Sequence, residues 1–119
     1  MIINWKNNFE EGKELVLATS SLSGNPNANV VISLGFFDDK LLIADCLMKT
    51  TIDNLESNPK ISIVSGIYKI NGAVEIFSSG KYFDICVKRS AKISSDKVKN
   101  AILVDIKNVF DLYKAKIID

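Results

Sequence analysis

Apolar and polar positions along this 119-residue chain fall into short runs with turn residues between them. Leu15-Val16-Leu17-Ala18-Thr19-Ser20 predicts a strand, and after the turn cluster Ser23-Gly24-Asn25-Pro26 the segment 28–34 resumes in extended form. Asp38-Asp39 is the next turn, and Lys40-Leu41-Leu42-Ile43-Ala44-Asp45 the third strand. A fourth is expected over 60–67. Asn71-Gly72 then predicts a hairpin turn. A long strand from Ala73 to Phe83 follows, with Gly80 marking a bulge or bend. The last strand spans 101–106, and Val109, Phe110, Leu112 and Tyr113 are expected to pack against the end of the sheet. Helix is expected over 3–12, where Trp5 and Phe9 are four apart and Gly12 is a C-terminal stop. A second helix covers the segment before Asn58-Pro59, and a short one lies within 84–99, where Ser94-Ser95-Asp96 reads as loop. Six strands joined mainly by short turns imply a mainly β single domain over 1–119, a small antiparallel barrel.

The most informative segment is Lys49-Thr50-Thr51-Ile52-Asp53-Asn54-Leu55-Glu56-Ser57-Asn58-Pro59, set between two apolar strands. Thr50 or Thr51 is expected as N-cap, and Thr50 with Asp53 has nearly the spacing of a capping box. Ile52 and Leu55 are three apart and share a buried face. Pro59 disfavours α geometry at Asn58, which ends the helix. Free N–H groups, two hydroxyls and a lysine ammonium therefore converge at one helix N-terminus, a natural place for a phosphate. Capping threonines begin many helices that bind nothing, so this motif takes its weight from the rest of the chain.

Composition narrows the chemistry. Apolar residues make up 47% of the chain, enough for a core, but a domain this small leaves much surface uncovered and dimerisation would extend that core. Fifteen basic and 14 acidic residues give a net charge of +1 with no basic stripe, which argues against nucleic-acid binding. Cys46 and Cys86 lie forty positions apart without a CxxC, and the chain has no histidine. No metal site is expected, two buried reduced thiols are, and Ser-His or Cys-His nucleophile machinery is excluded. Apolar stretches fall far below the ~20 residues of a membrane span, and the N-terminus has no signal-peptide core, so a cytoplasmic protein without membrane contact is expected.

The order of these blocks resembles the small FMN-binding split-barrel proteins of the pyridoxamine 5′-phosphate oxidase-like superfamily. The resemblance runs over nearly the whole chain. It takes in Leu17-Ala18-Thr19, the Gly24-Asn25-Pro26 turn, Leu42-Ile43-Ala44-Asp45 and the 49–59 block, then Gly80-Lys81-Tyr82-Phe83 and Ile102-Leu103-Val104-Asp105-Ile106. It implies a six-stranded antiparallel split barrel, dimeric, with FMN in grooves at the interface of a homodimer. It implies that Lys49, Thr50 and Thr51 bind the phosphate and that Asn29, Val30 and Val31 line the ring and ribityl region. Ala44 and Asp45 would offer backbone groups to the ring edge. Arg89 is the only arginine, which speaks against vitamin B6 oxidation because a second phosphate needs its own cationic clamp. The implied activity is that of an FMN-dependent oxidoreductase, a reductase served by a small-molecule or protein electron donor and acceptor. The alternatives are an FMN-binding or electron-transfer protein without its own substrate, and a cofactor-free dimeric split barrel. A flavin brings its own redox chemistry, so no catalytic histidine or cysteine is required.

Overall fold

The computed structural model describes residues 4–119. One antiparallel sheet holds β1 (Glu14–Ser20), β2 (Pro26–Ile32), β3 (Phe36–Phe37), β4 (Lys40–Asp45), β5 (Lys60–Ser65), β6 (Tyr68–Phe77), β7 (Asn100–Asp111) and β8 (Lys116–Ile117). Two α-helices accompany it, α1 (Thr50–Ser57) between β4 and β5 and α2 (Lys81–Ser90) between β6 and β7. The strand order is β2-β1-β5-β6-β7-β4-β3, with β8 on the far end of β7. β2 and β3 end the sheet without pairing to each other, so it curls but does not close: a split barrel. The two strands beyond the expected six, β3 and β8, are two residues each.

Burial explains the sequence runs. β1 alternates strictly, with Leu15, Leu17 and Thr19 inside and Glu14, Val16 and Ala18 outside. β4 and the first half of β7 instead read as continuous apolar runs because both of their faces are covered. Leu41, Ile43, Ile102 and Val104 join the main core with Trp5, Phe9, Ile63 and Ile70. Leu42, Ala101 and Leu103 face the other way, into a second cluster beneath Cys86 of α2. Burying each leucine or isoleucine of this set contributes about 1.5–3 kcal/mol. Asp38 and Asp39 form the β3–β4 turn with φ of 52° and 61°, the left-handed pair that a two-residue hairpin requires.

Four expectations are corrected. The first helix is a 3-10 helix over Trp5–Phe9, capped by Asn4, shorter than 3–12; position 3 lies outside the described residues. The β5–β6 turn is at Gly66-Ile67, and Asn71-Gly72 sits inside β6. The strand expected to reach Phe83 ends at Phe77, and Gly80, with φ of 93°, is the N-cap of α2, so Lys81, Tyr82 and Phe83 are helical. The last strand runs to Asp111 and takes in Val109 and Phe110, of which Val109 is fully buried, while Leu112 and Tyr113 are exposed. Arg89 is also accounted for. Its guanidinium donates to the carbonyls of Leu34 (2.9 Å) and Phe36 (3.0 Å), tying α2 to the start of β3.

Candidate functional site

β2 is an edge strand, and along it exposure alternates: Asn27, Asn29 and Val31 are half-buried while Ala28, Val30 and Ile32 are exposed. Facing its inner side are the end of β4, the loop 46–49 and the first turn of α1. Together they enclose a cleft of 450 Å³ lined by Asn27, Asn29, Val30, Val31, Ala44, Cys46, Leu47, Met48, Lys49, Thr50 and Thr51. Seven of the eight residues singled out in the sequence line this one cleft; the eighth, Asp45, lies beneath it. Asp45 is 1% exposed. Its carboxylate accepts from the Met48 N–H (3.0 Å) and from Asn100 Nδ2 (2.7 Å), and its carbonyl accepts the Lys99 N–H (2.8 Å). Asp45 thus fixes the loop that leads into α1, and does so from behind the cleft.

The start of α1 differs from the expected capping box. The N-cap is Lys49, no side chain caps the helix, and Thr50 and Thr51 are its first two residues. A helix leaves its leading N–H groups without intrahelical partners, so among the described residues those of Thr50, Thr51 and Ile52 are free donors beside the exposed Lys49 ammonium. Thr51 is used differently. Its hydroxyl donates to Asn29 Oδ1 (2.8 Å) and accepts from Asn27 Nδ2 (3.1 Å), a chain between α1 and β2. Further along α1, Asn54 Nδ2 donates to Thr19 Oγ1 (3.1 Å) and Asn58 Nδ2 to the Ser20 carbonyl (3.2 Å), holding the helix on β1. Asn27, Cys46, Leu47 and Met48 were not anticipated. For Asn27 the signal was present, since it stands two positions before Asn29 and so shares its face.

The donor set fits a phosphoester at one end of the cleft: three free N–H groups, a hydroxyl on Thr50 and a lysine ammonium. The walls beyond it, Val31, Ala44, Leu47 and Met48, are apolar with Asn29 among them, which fits a flat heteroaromatic ring. A second hollow of 570 Å³ lies on the outer face of the sheet between Lys60 and Lys107, over Gly72, and no helix start opens into it. Among the described residues no group of His, Cys, Asp or Glu could hold a metal ion, and no helix is long and apolar enough to cross a membrane.

The thiols are poor nucleophiles here. Cys86 is fully buried with its Sγ 3.9 Å from the Ile43 carbonyl, and burial, helped by the nearby Cys46 and Asp45, pushes its pKa up to about 12. Cys46 departs from the expected pair of buried thiols, being half-buried at the cleft; its pKa is also raised, chiefly by burial, while a hydrogen bond with Ser90 works in the opposite direction. In native protein at pH 8, Cys86 is therefore expected to resist a disulfide reagent such as Ellman's and Cys46 to react slowly, because the thiolate is the reactive form. Denaturant releases both, and rapid native-state reaction of two thiols would contradict the assignment. A thiol pKa raised in the folded state stabilises the fold below the ordinary thiol range. That contribution is lost as pH climbs toward 12.

Comparison with known proteins agrees with this architecture. A family model described as pyridoxamine 5′-phosphate oxidase matches residues 4–113. An uncharacterized protein of Methanocaldococcus jannaschii is 27% identical over 111 residues, covering 86% of this chain and 74% of its own. Among solved structures, HupZ of Group A Streptococcus superposes with a TM-score of 0.85 at 22% identity over 100% of both chains. An FMN-binding protein from Syntrophomonas wolfei subsp. wolfei gives 0.71 at 17% identity, covering 88% of this chain and 79% of its own. At these identities the solved structures speak for the fold alone, whereas the family match spans nearly all of the sequence. The chain belongs to the pyridoxamine 5′-phosphate oxidase family.

Proposed function

We propose that this protein binds FMN in the cleft at the start of α1 and acts as a flavin-dependent oxidoreductase, assembled as a homodimer. The observation that carries the reading is the helix start itself. An uncapped N-terminus, Lys49 and the Thr50 hydroxyl stand at one end of a 450 Å³ cleft in a chain of this family. When bound, the flavin supplies the redox chemistry, passing electrons from a small-molecule or protein donor to an acceptor. The chain's own residues hold and orient it. The α1 N–H groups and Lys49 take the phosphate, and Val31, Ala44 and Met48 exclude water from one side of the ring. Val30 lines the cleft and is also 59% exposed, so a second copy packed against β2 would cover it. Among the described residues that line the cleft, Lys49 is the one with a basic side chain, and none is a carboxylate or a histidine. That scarcity of acid–base groups supports a second reading, an FMN protein that transfers electrons to a partner without a substrate of its own.

Titration of apoprotein with FMN and with riboflavin tests the assignment. FMN is expected to bind at least about tenfold more tightly, and Lys49→Ala to weaken FMN by about 1–3 kcal/mol while leaving riboflavin unchanged. Equal affinities would remove the phosphate from the helix start. Anaerobic mixing of holoprotein with NADH and NADPH then separates the enzyme from the carrier. Loss of flavin absorbance with either donor supports a reductase, and reduction only by a protein partner supports the carrier.

A further inference from the structure

The polar chain beneath the cleft carries an inference that rests on the FMN reading and refines it. Thr51 is 3% exposed, and a threonine hydroxyl has a single proton, which here goes to Asn29 Oδ1 at 2.8 Å. Asn27 Nδ2, from the same face of β2, supplies the hydrogen bond that the Thr51 oxygen accepts, at 3.1 Å. Both functions of the Thr51 hydroxyl are engaged. A carboxamide has chemically opposite ends, and with the oxygen of Asn29 held by Thr51 its NH₂ is the end left for the cleft. Among the described residues no side chain or carbonyl is paired with that NH₂ by a side-chain hydrogen bond.

We propose that Asn27 and Thr51 are positioning residues that lock Asn29 as an N–H donor to a carbonyl or imine acceptor of the bound flavin ring. The Thr51 hydroxyl, accordingly, does not serve the phosphate. A donor fixed before the ligand arrives needs no reorganisation when charge gathers on the ring, so it favours the reduced form and raises the flavin midpoint potential. Freed from Thr51, the Asn29 amide can turn over and set an acceptor against an acceptor, which weakens binding and reverses the effect on potential.

The test compares wild type with Thr51→Val, Thr51→Ser, Asn27→Ala and Asn29→Asp. The readouts are FMN and riboflavin affinity, the visible spectrum of the bound flavin and its midpoint potential. Thr51→Val is expected to weaken both flavins by the same factor, about 2–12-fold for one net hydrogen bond, to shift the spectrum and to lower the potential. Thr51→Ser restores all three, and Asn27→Ala gives a smaller shift in the same direction. Asn29→Asp keeps the acceptor for Thr51 but turns a carboxylate oxygen to the ring, so it folds and loses flavin affinity. If Thr51→Val weakens FMN alone and leaves riboflavin unchanged, the hydroxyl serves the phosphate and the proposal fails. It fails as well if the variants melt earlier but keep the wild-type spectrum and potential. Wild-type protein that binds neither flavin overturns the cofactor reading itself and the proposal with it.

Discussion

Gly72→Ala is expected to destabilise the protein by about 1–3 kcal/mol, and Gly72→Val by more, lowering the melting temperature by about 5–15 °C. The cause is the closeness of β7 to β6. A Cβ on Gly72 would stand 2.7 Å from the Asp105 carbonyl oxygen and 2.9 Å from Val104 Cγ1. Neither neighbour yields easily, because Asp105 is part of the β6–β7 ladder and Val104 is fully buried in the main core. The pairing register also shifts here: Asn71 faces Asn108 and Gly72 faces Ile106, so Lys107 is the extra residue of a bulge. Thermal denaturation by circular dichroism reads the effect. A Gly72→Ala variant as stable as wild type would mean that the two strands separate freely at the bulge, contrary to the geometry.

The same residue shows where local sequence reasoning failed. Asn-Gly is a strong hairpin signal, and the chain does turn nearby, but at Gly66-Ile67. Nonlocal contacts decide the matter. Asn71 accepts from Ser62 Oγ (2.7 Å) on β5 and donates to Asn108 (3.0 Å) on β7, an amide bridge across three strands that needs Asn71 mid-strand. Gly72 is required by the close approach of β7, a reason that no window of neighbours contains. The error at 73–83 was of another kind, because its signals were present. Ser78-Ser79-Gly80 is a cluster of strand breakers, and Tyr82, Cys86 and Ser90 recur every four residues, the spacing of one helix face. Cys86 and Ser90 are buried and Tyr82 half-buried on that face. The expectation of a long strand overrode this period.

At the site the sequence was more legible, because strand, polar helix start and Asn-Pro stop are local features in an order that the fold preserves. Seven of the eight chosen residues line one cleft. What the sequence hid was the division of labour among them. Whether a threonine in the first turn caps its own helix or bonds to another strand depends on what lies opposite, and here Asn27 and Asn29 of β2 lie opposite Thr51. For Asp45 the resemblance implies backbone groups offered to a ring edge, and says nothing of its carboxylate. In the structure it is an internal anchor, with its acceptors filled by Met48, Lys99 and Asn100.

Val30→Asp is expected to turn the proposed dimer into a monomer and to lose most of its FMN affinity in the same step. Val30 pairs with Val16, which pairs in turn with Val64, and Ala28 pairs with Ala18, so an aliphatic row crosses three strands on the outer face. Val16, Val30 and Ile32 are all exposed there, an apolar surface that a lone domain of this size gains nothing from showing to water. Placing a carboxylate in the middle of that surface leaves an unpaired charge to be buried on association. The penalty of about 3–5 kcal/mol corresponds to a loss of at least about a hundredfold in dimer affinity. Cofactor affinity follows because Val30 also lines the cleft, so a carboxylate there disturbs the ligand's wall as well as the face. Sedimentation equilibrium at micromolar concentration with and without FMN gives the association constant, and flavin fluorescence gives the binding constant. A wild-type protein that stays monomeric with FMN bound would separate the two functions of Val30 and leave the cleft to hold its ligand alone.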